Sequence, residues 1–420
     1  MNVPFPGARL GRLLLGVAAL TVAVAGCGTA PAGDELRGHT LHVYVSLPLQ
    51  GTSAAVSRQV LSGARQALAQ VGGSVGRFHV QLHVLDDSSP QREAWDPGQT
   101  LLAARTAASD PRTVAYLGEL DSGASAVSIP VLNRAGIVQV SPASTAVGLT
   151  QGGAGADPGE PQKYYPTGIR TFARLVSDDA VQARVQATVQ RQAGCRTTYV
   201  LGDGSTESES TDDSFSAVAP AAGLPVAGVA VFDPHAPDYT SVAAGAAATG
   251  ADCVMISGVA GTGPVLLTRQ LAAALPQARL FATAGLVHGA YLDPAQGGLP
   301  ASYDRRLIVT SPVTMPAGPP SGARRGVGAG AAAPSTVPAP EAAVGYESMS
   351  LLLDTVARAS HNGTKPVRRS RVREALFKTR NRQSVLGLYS LTTSGDISPS
   401  RYGIFRVASG RLVPWRTVGG

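Results

Sequence analysis

The sequence predicts an α/β protein built from two doubly wound lobes, and three observations carry that expectation. The chain has 420 residues, 44% of them hydrophobic and 15% charged, and a chain of that length is too long for one core, so two domains are the natural expectation. Apolar strand-like runs alternate with amphipathic helical ones, the pattern of a parallel sheet covered by helices on both faces. The alternation proceeds to about residue 150, breaks in a glycine- and proline-rich loop at 151–166, and then restarts.

The elements follow in order. Residues 41–47 form an apolar strand, and a turn at 48–51 leads into a helix over 56–71. In that helix Val56, Val60, Ala64, Ala67, Leu68 and Val71 share one face. Residues 78–85 alternate as a second strand ending in Asp86-Asp87. Asp96-Pro97 is a cap followed by proline at the first helical position, opening a helix to 108. A strand at 114–117, a helix at 125–135 and a strand at 137–140 complete the first lobe. The second lobe reads as helices at 176–194, 214–222, 241–249 and 263–274 between strands at 197–201, 226–232, 253–257 and 280–283. Residues 306–310 read as a crossing strand and 316–340 as loop or weak helix. Helices follow at 341–360 and 367–379.

The N-terminus reads as a processed leader. Arg9 and Arg12 precede an apolar run over 13–24, which ends in Val24-Ala25-Gly26-Cys27. About 12 apolar residues cannot span roughly 30 Å of hydrocarbon as a helix, so the run reads as a cleaved signal. Small residues ahead of one cysteine suit a lipoprotein signal peptidase, which makes Cys27 the expected lipidation site. Two acyl chains suffice for stable anchoring. The alternative is plain secretion with Cys27 unmodified.

Charge and cysteine content exclude several classes. The formal charge of +7 includes two leader arginines, and the rest of the excess clusters at residues 368–373. Aromatics make up only 5% of the chain, so the interleaving of basic and aromatic residues that nucleic acid requires is missing, and a solvated helix face is expected there. Cys195 and Cys253 each stand at the start of a strand-like run. An oxidising compartment permits a disulfide between them, and two buried free thiols are the alternative. Two cysteines make no metal site, and no cofactor is expected.

Motifs for catalysis are missing: there is no Walker loop, no His-Glu-x-x-His and no nucleophile elbow. The stronger signal is a pair of small polar loops at strand ends. Residues 118–125 (Gly-Glu-Leu-Asp-Ser-Gly-Ala-Ser) open a helix, and residues 141–145 (Ser-Pro-Ala-Ser-Thr) follow the next strand. Serine caps such a helix, glycine admits close backbone approach, and the helix N-terminus favours an anion. Adjacent parallel strands bring both loops to one crevice. Ordinary turn chemistry is the competing explanation.

The order of these pieces resembles the Leu/Ile/Val-binding proteins, the type I periplasmic binding fold used by branched-chain amino-acid ABC importers. Leu47-Pro48-Leu49-Gln50-Gly51 with Gly63-Ala64, Asp86-Asp87 with Asp96-Pro97, Asp121-Ser122, Ala135-Gly136-Ile137 and Ser141-Pro142-Ala143-Ser144-Thr145 match in sequence. Leu149-Thr150, Arg170-Thr171-Phe172, Val385-Leu386-Gly387 and Gly395-Asp396 continue the match. The resemblance implies two Rossmann-like lobes joined by a three-crossing hinge, with a small ligand trapped between them. It divides the chain into a signal with the lipidated cysteine at 1–27 and a tether at 28–40. Lobe I then takes 41–172 plus 313–385, and lobe II takes 173–312 plus 386–418.

The same resemblance implies that a ligand carboxylate is held by Ser122 and by Ala143, Ser144 and Thr145. Gly123, Gln50, Gly258 and Gly285 complete the expected set. Three positions depart from the family pattern. The usual lobe I aromatic falls at Val56-Ser57, and a lobe II Tyr-Gly is replaced by the run from Asp203 to Glu209. The acid expected to meet an α-ammonium falls near Gly285. Glu207 is the candidate substitute, although the acidic run 207–213 also reads as a solvated loop. A buried ammonium without a partner costs several kcal/mol, so an ordinary branched-chain amino acid fits poorly. The expectation is a monomeric, lipid-anchored solute-binding protein that is not an enzyme. It delivers an amino-acid-like, carboxylate-bearing solute to an ABC permease from the outer face of the cytoplasmic membrane. A sensor for a membrane receptor, or a structural lipoprotein that no longer binds, are the alternatives.

Overall fold

Every residue of Leu41–Leu47 is buried, as a strand covered by helices on both faces requires. It belongs to β1 (Thr40–Leu47), the third strand of a six-stranded sheet. The computed structural model describes residues 34–92, 94–259, 261–287, 291–312, 340–399 and 401–419. The expected signal, Cys27, the first part of the tether and the loop 316–339 lie outside the described residues.

After β1 come α1 (Ala54–Gln70), β2 (Ser74–Val75), β3 (Phe78–Asp86), a short hairpin of β4 (Ser88–Ser89) and β5 (Ala94–Trp95), and α2 (Pro97–Ser109). β6 (Thr113–Leu117), α3 (Ser122–Arg134), β7 (Val138–Ser141) and β8 (Phe172–Arg174) finish the first unit. The sheet order is β2-β3-β1-β6-β7-β8, parallel except for β2. Asp96 caps α2 as the sequence suggests, accepting from the Gly98 and Gln99 amides at 2.8 and 3.1 Å.

The second unit runs α4 (Asp179–Gln192), β9 (Thr198–Gly202), α5 (Thr206–Val218), β10 (Val226–Val231), α6 (Thr240–Ala248), β11 (Cys253–Ile256), α7 (Thr262–Ala274), β12 (Arg279–Ala282) and β13 (Leu307–Ser311). The chain then contributes α8 (Pro340–Ala359), α9 (Arg369–Phe377) and a small sheet of β14 (Arg382–Ser384), β15 (Gly387–Leu391) and β16 (Ile397–Ser398). It ends in β17 (Arg401–Ala408) and β18 (Arg411–Gly419). The second sheet has the order β10-β9-β11-β12-β13-β17-β18, its last two strands antiparallel.

Four expectations change. The run at 307–311 is not a crossing but an interior strand, parallel to β12 and antiparallel to β17. The acidic run 207–213 is not a loop: it forms the first turns of α5, capped by the Ser205 hydroxyl. Acidic residues in a first turn are favoured by the helix dipole, which outweighs their low apolar content. Residues 386–397 do not join the second lobe, because Tyr389 and Leu391 are buried in the first lobe's core with Leu386 and Ile397 against them. The return to the second sheet comes only at Arg401. Finally, the basic run is not wholly solvated. Arg369 is buried and donates to the carbonyls of Thr113, Ala135 and Asp110.

Two glycines on facing helices set the packing of the first lobe. A Cβ on Gly63 of α1 would lie 1.9 Å from the Ala342 carbonyl of α8, and one on Gly345 of α8 would lie 2.0 Å from the Val60 carbonyl of α1. The helices therefore meet backbone to backbone, and any side chain at either glycine forces them apart. In the second lobe Cys195 and Cys253 form a disulfide with Cα atoms 5.8 Å apart, which decides between the two alternatives. It closes a loop of 58 residues, worth about 4 kcal/mol by chain entropy.

A buried ion pair sits where the chain leaves the first sheet for the second unit. Arg174, at the end of β8 and fully buried, donates through Nε to Asp396 Oδ1 at 2.7 Å. Its Nη1 reaches the carbonyls of Ser144 and Ala146 at 3.2 and 2.8 Å. Asp396 also accepts from the Thr150 hydroxyl and the Gln151 amide, and Gln151 reaches Asp178, the cap of α4. The node thus joins the crossing after β8 to the segment preceding β16. Burial lowers the Arg174 pKa, but Asp396 and Asp178 more than compensate and raise it; burial raises Asp396, and the guanidinium outweighs it and holds that carboxyl low. Asp396→Ala leaves a buried guanidinium unpaired, so we expect a loss of roughly 3–5 kcal/mol. Urea denaturation checks this, and a loss under about 1 kcal/mol would contradict the assignment.

Candidate functional site

The strand ends of both sheets open on one cavity of about 340 Å³. In α/β sheets this is where loops converge and ligands bind. From the first lobe come Thr52, Ser53, Val56 and Val60 of α1 and its approach. Leu120 and Asp121 follow β6, and Pro142, Ala143 and Thr145 follow β7. From the second lobe come Gln182 of α4, Glu207 of α5, Val259 after β11 and Ala284 and Gly285 after β12. Phe405, Leu412 and Pro414 of β17 and β18 add apolar surface. Val176 lines it from the segment after β8, Ser311 and Pro312 from the end of β13, and Pro340, Glu341 and Val344 from α8.

The expected site residues divide into two groups. Ala143, Thr145, Glu207 and Gly285 line the cavity. The others do not, and each has a structural task. Ser122 is the first residue of α3, and its hydroxyl accepts from the Thr145 and Ala146 amides, both at 3.1 Å. The Ser144 hydroxyl bonds to Ser125 and to the carbonyls of Glu119 and Asp121. Gly123 is packed under Trp95, whose ring would lie 2.5 Å from an added Cβ. Gln50 is exposed and holds Asp86 at 2.8 Å. Gly258, with φ of +135°, sits against the Asp203 carboxylate, which accepts from the Val259 amide.

The expected carboxylate cradle is therefore closed on the chain itself. The Ala143 and Ser144 amides donate to the Ser141 hydroxyl at 3.2 and 2.9 Å, and the next two donate to Ser122. All four amides of that loop are satisfied internally. The positive ends of the two facing helices are likewise occupied by acids, Asp121 at the cap of α3 and Glu207 in the first turn of α5.

What remains open in the cavity is of another kind. Thr145 Oγ1 and Gln182 Nε2 are buried and have no hydrogen-bond partner in the protein. The Tyr402 hydroxyl lies 3.2 Å from Gln182 Oε1 and 3.5 and 3.3 Å from the carbonyls of Ser177 and Asp178. Asp121 Oδ2 is also buried and unpartnered. Sequence reading did not assign Asp121 or Gln182. A signal for Gln182 exists: Gln182, Gln186 and Gln190 recur at four-residue spacing on the buried face of α4, where apolar residues are the norm.

Around the cavity carboxyls accumulate. Burial pushes Asp121 up to about 7, with the charge of Asp87 adding to it. Burial pushes Asp179 up to about 6, restrained by neighbouring hydroxyls and by Arg174. Asp212 rises to about 7, again by burial, although the Ser257 hydroxyl donates to it at 2.6 Å. Glu207 is raised well above the ordinary range by burial, then by Asp179, Asp121 and Asp203. Deeper in lobe I, Asp87 and Glu119 are both raised, burial being the main cause for each.

These shifts fix a pH dependence. A carboxyl whose folded pKa is raised keeps its proton where the unfolded chain has lost it, so stability falls as pH rises between the two values. For Asp121, Asp179 and Asp212 that window runs from about 4 to about 7. Asp396 has the opposite sign, and its contribution is lost in acid. Calorimetry of the chain alone is expected to show Tm rising from about pH 8 to about pH 6 and collapsing below about pH 4. A Tm that falls from pH 8 to pH 6 would contradict the burial of these acids.

Comparison with known proteins places this architecture. The periplasmic binding protein family profile matches residues 40–410. The leucine-binding protein LivK of Thermotoga maritima superposes with a TM-score of 0.71 at 20% identity, covering 90% of this chain and 98% of that one. A Rhodopseudomonas palustris solute-binding protein in complex with benzoate gives 0.68 at 17% identity, with 90% and 96% covered. The branched-chain amino-acid binding protein LivJ of Streptococcus pneumoniae, in complex with isoleucine, gives 0.68 at 15% identity, with 91% and 100% covered. A search of curated sequences returned no significant match. Members of this family are solute-binding proteins rather than enzymes, and no helix among the described residues is long and apolar enough to cross a membrane. The chain belongs to the periplasmic binding protein family, and it shares the fold of the LivK and LivJ structures.

Proposed function

We propose that this chain is a lipid-anchored solute-binding protein of an ABC importer. It captures a small, amino-acid-sized solute between its lobes and hands it to a membrane permease. The observation that carries the reading is a cavity walled by both lobes, into which the buried, unpartnered Thr145 hydroxyl and Gln182 amide project. Buried polar groups are normally paired, and a site that leaves two of them open is built to meet a ligand. The same observation speaks against a structural lipoprotein whose cleft is filled by its own side chains.

Capture proceeds by hinge closure. The lobes already touch where the Val147 amide donates to the Ser210 hydroxyl at 2.9 Å and Ser214 reaches the Ala154 carbonyl. A solute held against α1, α3 and the loop after β7 draws α4 and α5 onto it while the Arg174–Asp396 node stays fixed. Micromolar affinity, about −8 kcal/mol, is within reach of a few hydrogen bonds and an enclosed apolar surface. The permease then meets a surface that exists only in the closed form. Lipidation at Cys27 keeps the protein at the outer face of the membrane, and a monomer suffices for the cycle.

Two outcomes are expected. A panel of amino acids, amides, amines and small carboxylates should contain at least one compound that raises Tm by a few degrees near 100 times its Kd, where about 2.7 kcal/mol is gained. The same compound should shrink the radius of gyration in small-angle scattering, and silence across the panel would contradict capture. Cys27→Ser should move the chain from the membrane fraction to the soluble one, and an unchanged distribution would remove the anchor.

A further inference from the structure

We propose that the solute is a small organic cation: an ammonium group seated between Asp121 and Glu207, with an apolar body and one hydrogen-bond acceptor, and no free carboxylate. The proposal rests on the solute-binding reading and narrows it. Asp121 from the first lobe and Glu207 from the second both line the cavity, with Glu341 at its rim, and no lysine, arginine or histidine lines it among the described residues. The loop amides are satisfied internally, so no backbone cradle is left for a ligand carboxylate beside those acids. Like charges brought together in a desolvated site repel strongly.

The second, independent observation is the pair of unpartnered groups. Gln182 is 2% exposed and Thr145 4%, both are in the cavity wall, and neither Nε2 of the one nor Oγ1 of the other has a partner. Gln182 Nε2 is a donor, so it calls for an acceptor on the ligand. Thr145 can serve either end. Val56, Val60, Val344 and Phe405 offer the apolar surface for the body.

Electrostatics supports the same assignment. Asp121 faces Asp87 from its own lobe and Glu207 across the cleft, and Glu207 faces Asp179 and Asp203. Arg174 bears on Asp179, but its guanidinium is already bound to Asp396 and to carbonyl oxygens. Burial and mutual repulsion raise the pKa of both acids, and a cation seated between them works in the opposite direction. Binding then favours ionisation and releases protons to the buffer.

The test uses four compounds of one skeleton on the detergent-solubilised full chain: isoleucinamide, 2-methylbutylamine, isoleucine and 3-methylpentanoate. They present, in turn, a cation with an acceptor, a cation alone, a zwitterion and an anion. Calorimetry should rank isoleucinamide first, at least tenfold tighter than isoleucine, with no binding of 3-methylpentanoate. Its affinity should weaken as pH falls below about 7, and the binding heat should depend on the buffer's ionisation heat. Asp121→Asn with Glu207→Gln should cost isoleucinamide more than tenfold while Tm is kept or raised, which separates lost binding from lost folding. Tighter binding of isoleucine or 3-methylpentanoate than of isoleucinamide would overturn the cation assignment and leave solute capture standing. Silence from both amines would also overturn it, whereas capture itself is decided by the wider panel and the scattering measurement above.

Discussion

A guanidinium sealed from water is the constraint around which this molecule is arranged. Arg174 is wholly buried, and an uncompensated charge in that position would cost several kcal/mol. Its partners come from three stretches that are distant in sequence: Asp396 from the segment before β16, Thr150 from the loop after β7, and the carbonyls of Ser144 and Ala146 from the cavity wall. Satisfying one side chain therefore fixes the crossing between lobes and the loop beside the ligand cavity at once. The node thus couples the chain leaving the first sheet to the loop that lines the cavity.

The cavity wall follows a second constraint, the placement of acids. Asp121 and Glu207 sit at the facing ends of α3 and α5, where helix dipoles offset part of the cost of a carboxylate. Desolvation still raises both, so the empty site stores unfavourable electrostatics that a cation relieves. This is the usual relation between a binding site and stability: groups arranged for a ligand are poorly satisfied without it. The Ser122 hydroxyl, the one group an anion would most need, is instead spent on bracing the Thr145 and Ala146 amides.

The fold was readable because its strands are buried on both faces and its helices carry one apolar face, so periodicity alone separates them. Where reading failed, tertiary context outweighed local pattern. The run 207–213 has too few apolar residues to announce a helix, yet Ser208, Ser210, Thr211 and Asp212 are buried in α5 against the rest of the chain. Residues 386–397 looked like the way out of the first lobe, and only the contacts of Tyr389 and Leu391 show that they stay in it. In the site, the loops at 118–125 and 141–145 were legible as a pair from strand order. Which of their groups point into the cavity was not, since a serine that braces and a serine that binds look alike in sequence. Asp121 stood beside the assigned Ser122 and Gln182 lay in a regular helix; burial and missing partners mark them, and neither property is written in the residue itself.

Native mass spectrometry of the chain released gently from its own membrane tests the account most directly. One small molecule per chain, carrying a basic nitrogen and no carboxylic acid, is the predicted companion, and it should be absent when Asp121 and Glu207 are both made amides. A chain that carries a simple carboxylate there, or that arrives bare from every growth condition, would contradict the account.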